Sequence, residues 1–68
     1  MSYKYEYWKV IQQNYCGVWE DVSHYEARSN GSTKDYALLK HDVNEYRLMG
    51  YPTRVIFRRE KVNTNVNQ

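Results

Sequence analysis

Only one stretch of this chain sets its apolar residues at helical spacing: KDYALLKHDVNEYRLM, residues 34–49. Tyr36, Leu39, Val43 and Tyr46 recur every three or four positions, with Leu38 and Met49 at the margin of the stripe. Ser32 or Thr33 can cap the start, and Asp35 in the first turn suits the positive end of the dipole. Gly50 stands where a helix end tolerates positive φ, and Pro52 prevents the helix resuming. The pattern predicts one helix over about 33–49. Because a single helix can cover only one face of a sheet, whatever sheet forms keeps its other face open unless a partner covers it.

The remaining ordered stretches read as strands. YKYEYWKVIQQ, about 3–13, alternates rings and polar residues so that both faces carry aromatics. NYCG, residues 14–17, has the turn formers of a hairpin, and VWEDVSHYEA, residues 18–27, supplies its second strand. RSNGST is a loop. TRVIFRREKV, residues 53–62, is a third strand with Val55, Phe57 and Arg59 on one face and Arg54, Ile56 and Arg58 on the other. NTNVNQ, residues 63–68, reads as a polar tail expected to fray. The expected fold over residues 1–62 is a single α+β domain in ββαβ order, with one helix across a three-stranded antiparallel sheet and the last strand beside the first. Trp8 and Val10 are expected under the helix. Tyr5, Tyr7 and Ile11 are expected on the open face, joined by Trp19, Tyr25 and Ile56 according to register.

A chain of 68 residues builds a thin core, for which oligomerisation is a common remedy. With Cys16 as the lone cysteine, no intramolecular disulfide can form, and no cluster offers four zinc ligands. A lone thiol, with no apolar leader and no spanning run, points to a soluble protein of a reducing cytoplasm and away from membranes. The formal net charge of +2 is uninformative by itself, but its placement is not. Residues 51–68 hold Arg54, Arg58, Arg59 and Lys61 against Glu60 alone, whereas the rest of the chain is close to balanced.

Catalytic patterns are weak. Cys16 falls in a turn and His24 and His41 on other elements, so no thiol–imidazole pair is encoded locally. His41 and Glu45 are four apart on a helix, the spacing of an ordinary surface pair as much as of two metal ligands. Glu20 and Asp21 are adjacent in a strand and point to opposite faces. SNGST lacks the spacing and the lysine of a phosphate loop. No cofactor is implied, and the chain reads as non-enzymatic.

Three pieces, YWKVIQQNY, GVWEDV and YRLMGYPTRVIFRR, together resemble a loose group of very small phage and prophage proteins. That group has an aromatic first strand running into Gln and Asn, then G-x-W-E-D, a helix, and a Tyr-Arg followed by a Val-Ile-x-Arg-Arg strand. The resemblance covers about residues 7–59, and this chain departs from it at Cys16 and Val18. It implies a phage origin and a ββαβ fold, carries no activity, and favours a protein that works by binding a host component.

The leading expectation is therefore a small phage-type interaction protein that binds and modulates a host protein. Tyr5, Tyr7, Trp19 and Tyr25 would supply contact area, and Arg54 and Arg58 orientation and charge pairing. A nucleic-acid-binding regulator using the same rings and arginines is the alternative, since tyrosines stack on unpaired bases and arginines meet phosphates. A structural homodimer, burying the open face against its own copy, is the third reading.

Overall fold

In the computed structural model, which describes residues 3–63, strand β1 (Tyr3–Tyr15) turns into β2 (Val18–Ala27) through two residues only. Those two, Cys16 and Gly17, both have positive φ, 56° and 90°. Two-residue hairpins need that handedness to match the twist of their strands. Asn14 stabilises the turn by accepting the Gly17 N–H on its Oδ1 at 2.8 Å. The turn is thus shorter than NYCG, and β1 runs two residues further than the sequence pattern indicates.

A loop follows in which Thr33 is buried and forms an isolated bridge to Ala27. Helix α1 (Tyr36–Arg47) starts later than expected. Its N-cap is Asp35, whose side chain accepts the Leu38 N–H at 3.0 Å, and neither Ser32 nor Thr33 serves. With Thr33 held at the sheet, the helix cannot begin before Asp35. It ends at Arg47, and the chain turns through Gly50 at φ 92°.

β3 (Thr53–Asn63) pairs with the free side of β1, from Gln13 opposite Thr53 to Tyr3 opposite Asn63. The sheet order is β2-β1-β3, antiparallel throughout, and the fold is the expected ββαβ. Residues 64–68, most of the expected tail, lie outside the described residues, and Asn63 belongs to β3. β2 pairs with β1 only from Tyr7 onward, so Tyr3–Glu6 and Glu60–Asn63 project as a two-stranded ribbon. The molecule is correspondingly long, 45 × 27 × 18 Å.

The helix covers the face of β1 opposite to the expected one. Leu39 and Val43 bury themselves against Ile11 and Tyr25, with Val22 and Tyr46 at the edge of the cluster. Trp8 and Val10 lie on the helix-free face, while Tyr5, Tyr7 and Ile11 lie on the helix side. The reason is on β3. Val55 sits opposite Ile11, and Phe57 opposite Lys9, so this face carries the larger apolar set, whereas Ile56 stands alone between two arginines.

Polar contacts fix the helix to the sheet, among them the Tyr46 hydroxyl donating to the Val22 carbonyl at 3.2 Å. Gln13, fully buried, donates its Nε2 to the Tyr46 carbonyl at 2.9 Å and accepts from the Tyr15 hydroxyl. Tyr25 donates its hydroxyl to Asp42 and accepts from Ser23. Burial first, and the Asp42 carboxylate second, push the Tyr25 phenol above its ordinary pKa of 10.

Candidate functional site

The six residues singled out for partner binding do not share a face. Trp19, Arg54 and Arg58 project from the helix-free face, and Tyr5, Tyr7 and Tyr25 from the helix side. The β1–β3 register, which sets Tyr7 opposite Arg59, puts Arg54 and Arg58 on the other face, and a β-bulge on β2 separates Trp19 from Tyr25. Ile11 pairs with Ser23 but Gln12 pairs with Asp21, so Val22 is an extra residue on β2. Strict alternation puts Trp19 and Tyr25 on one face, and one inserted residue puts them on opposite faces. Tyr25 is then core rather than surface.

The helix-free face is not left bare. Val10, at its centre, is 0% exposed although no helix lies over it. Arg58 on β3, opposite Trp8, and Asp21 on β2, opposite Gln12, reach diagonally across β1 and meet above Val10. The guanidinium donates from Nη1 to Asp21 Oδ2 at 2.7 Å and from Nη2 to Oδ1 at 3.2 Å. Gln12 Nε2 donates to the same carboxylate at 2.7 Å, and Gln12 Oε1 accepts from Arg54 Nε at 2.8 Å. Arg54 also lies 4.1 Å over the Trp19 ring. The hydrogen bonds from Arg58 and then Gln12 hold the Asp21 carboxyl at about 2, well below its ordinary 3.8. Trp8 meets His24 edge-on at 6.3 Å. The arginines expected to reach a partner are thus engaged within the molecule, and this face is closed by its own side chains.

On the helix side the reverse holds. The helix buries side chains from β1 and β2, but Val55 and Phe57 on β3 remain 37% and 44% exposed, and Tyr5 42%. Strands are about 4.8 Å apart and a helix with its side chains is about 10 Å across, so one helix spans about two strands. The uncovered strip beside it forms an open groove of about 600 Å³. Tyr36, Leu39 and Val43 line its helix wall and Val55 its floor, with Lys9, Lys40 and Arg47 around them. Beyond Lys9, Phe57 stacks on Tyr7 with centroids 5.8 Å apart, and Arg59 lies 4.4 Å over the Tyr5 ring.

Charge is segregated across α1. Lys40 and Arg47, seven positions apart, fall on the groove flank. Asp42 and Glu45 fall on the opposite flank, in a second hollow with Leu48 and Met49. Among the described residues no carboxylate lies within 4.0 Å of Lys9, Lys40 or Arg47. Lys9 instead sits 5.5 Å over the Phe57 ring. Sequence reasoning passed over Tyr36, Lys40, Arg47, Val55 and Phe57 as a site. The seven-residue spacing of the two cations and the Val55–Phe57 alternation were the signals that could have found it.

Cys16 is exposed at the tip of the hairpin. Among the described residues there is no group of three or more His, Cys, Asp or Glu placed to hold a metal ion. No helix there is long and apolar enough to cross a membrane. Comparison with protein-family models, with curated proteins and with solved structures found no match to this chain.

Proposed function

We propose that this protein is a non-catalytic interaction module that binds another protein through the helix-side groove and the rings beside it. The observation that carries the reading is the strip along β3, where Val55, Phe57 and Tyr5 stay exposed, with Lys9, Lys40 and Arg47 around the groove beside it. Exposed rings and aliphatics beside arginines and lysines are the composition of binding surfaces, because they bury large area at low entropic cost. The resemblance to small phage proteins makes the partner a host protein, bound in the cytoplasm and modulated by occupancy alone.

A nucleic-acid reading draws on the same strip, since Tyr5, Tyr7, Lys9, Val55, Phe57 and Arg59 include no acidic side chain. The aliphatic lining of Leu39, Val43 and Val55 favours a protein, because apolar side chains fill such a hollow better than a phosphate backbone does. A two-fold pairing of β3 edges centred on the strand would set Arg58 and Arg59 close to their own copies, a repulsive arrangement typical of protected edges.

Capture from a bacterial lysate tests the proposal, with wild type and a Val55→Ser/Phe57→Ser variant immobilised side by side, with and without nuclease. The expected result is a discrete protein retained by wild type under both conditions and lost by the variant, with capture run below the lowered thermal transition that loss of these half-buried side chains brings. Capture that disappears with nuclease and shows a steep salt slope would replace this reading with the nucleic-acid one. Equal capture by the variant would remove the groove from the function.

A further inference from the structure

We infer that the occupant of the α1–β3 groove is an acidic amphipathic helix of the partner, an inference that rests on the interaction reading above. Three observations converge on that shape and charge. The groove is walled by α1 from Tyr36 to Arg47, about 16 Å at the rise of a helix, which accommodates anchors at i, i+3 or i+4, and i+7. It is bounded by side chains on the helix wall and the sheet floor, the boundaries a helix packs against. Cations line its helix wall and its floor, Lys40 and Arg47 on α1 and Lys9 on β1, with Arg59 further along.

A partner helix lying there would complete the layer that α1 leaves unfinished. Its apolar stripe would cover Val55 and Tyr36 and close over the buried Leu39 and Val43 behind them, and carboxylates along it would face Lys40 and Arg47 on the helix wall and Lys9 on the sheet floor. The pairing also sets direction. Arg47 lies at the C-terminal end of α1, where its carbonyls already concentrate negative charge, and that end of the groove carries one cation against them. The opposite end has Lys9 and Lys40 close to the Gly31–Thr33 loop, so the more acidic end of the partner helix belongs there.

The test uses the full chain, methyl-labelled, and a synthetic 16-residue helical peptide with leucines at i, i+4, i+7 and i+11 flanked by glutamates. Its lysine-flanked counterpart and a dT12 oligonucleotide are the controls. The acidic peptide is expected to shift the Leu39, Val43 and Val55 methyls and to bind about tenfold or more tightly than the lysine version, as three or four rim pairs imply. Lys40→Glu/Arg47→Glu, both at exposed positions, should invert that preference by a similar factor while the chain stays folded, with a lowered thermal transition because a carboxylate replaces a cation at the C-terminal end of α1.

Equal binding of the two peptides, methyl shifts outside the groove, or tighter groove binding by dT12 would each overturn the inference. Concentration-dependent self-association lost in both Lys40→Glu/Arg47→Glu and Asp42→Lys/Glu45→Lys would hand the groove to the acidic flank of a second copy, and would overturn it too. A captured protein lost by Val55→Ser/Phe57→Ser but retained by Lys40→Glu/Arg47→Glu would sink the acidic helix and leave the interaction reading standing.

Discussion

Removing Arg58 opens the helix-free face, and the cost can be apportioned. Burying a valine fully contributes about 1.5–3 kcal/mol. Over Val10 the Arg58 stem shares that cover with its register partners His24 and Ile56, with Trp8 and Gln12 on the same face of β1, and with Asp21. Losing the stem should therefore cost a small share of it, about 0.5 kcal/mol. The bidentate pair with Asp21, whose side chains are 31% and 33% exposed, adds about 1 kcal/mol once solvent screening is allowed for. Arg58→Ala should cost about 1.5 kcal/mol and Arg58→Met, which keeps a stem, about 1 kcal/mol. For a domain this small, with a urea slope of about 1 kcal/mol/M, the first lowers the midpoint by about 1.5 M. A double-mutant cycle with Asp21→Ala should give a coupling of about 1 kcal/mol at neutral pH. Because the folded carboxyl titrates at about 2 and the unfolded one at 3.8, the coupling is complete above pH 4 and fades as pH falls toward 2. A coupling below about 0.3 kcal/mol, which is within the error of additivity, would refute the pair. Equal losses in Arg58→Met and Arg58→Ala would refute the cover.

Three other substitutions probe the remaining elements. Cys16→Asn, at φ 56°, should stabilise the hairpin by about 0.5–1 kcal/mol, because asparagine tolerates the left-handed region better; thermal denaturation with reductant present is the check. Gln13→Ala should cost about 2–3 kcal/mol by leaving the Tyr15 hydroxyl unpaired and opening a void under the helix end, read as a lower urea midpoint. Tyr25→Phe should cost about 1 kcal/mol near neutral pH. Since the folded phenol titrates above 10, its contribution is whole below pH 10 and is lost as pH rises through the raised value, so the gap between wild type and Tyr25→Phe should narrow in strong alkali.

The element order and strand neighbours were legible because each element carries its own pattern. The Tyr36–Leu39–Val43–Tyr46 stripe, Gly50 and Pro52 define a helix, and the alternation of Thr53–Val62 a strand, without reference to anything distant. The faces were not legible in the same way. Both sides of β1 carry rings, so β1 alone gives no preference, and the deciding residues, Val55 and Phe57, bear on it only through the β1–β3 register. On β2 the obstacle was the bulge at Val22, which no residue type announces and which separates Trp19 from Tyr25. The helix start was misplaced for a similar reason. Thr33 has the chemistry of a cap, but a bridge to Ala27, outside the helix, holds it. As for the site, Arg54 and Arg58 looked available in sequence because their partners, Gln12, Trp19 and Asp21, are brought to them only by the sheet.

The pairing of Tyr3 with Asn63 has a mechanical consequence. The first residue of β1 and the last of β3 lie together at one extremity of the molecule, on the ribbon that extends past the helix. Tension applied between those two residues would load one rung at a time, opening the ladder from Tyr3 toward Gln13 like a zip, with no rung sharing the load of the next. Such a sheet yields at low force when pulled from these ends. Pulled instead between the hairpin tip at Cys16 and Asn63, β3 would have to slide along β1 with every rung strained together, and the same set of hydrogen bonds would resist far more.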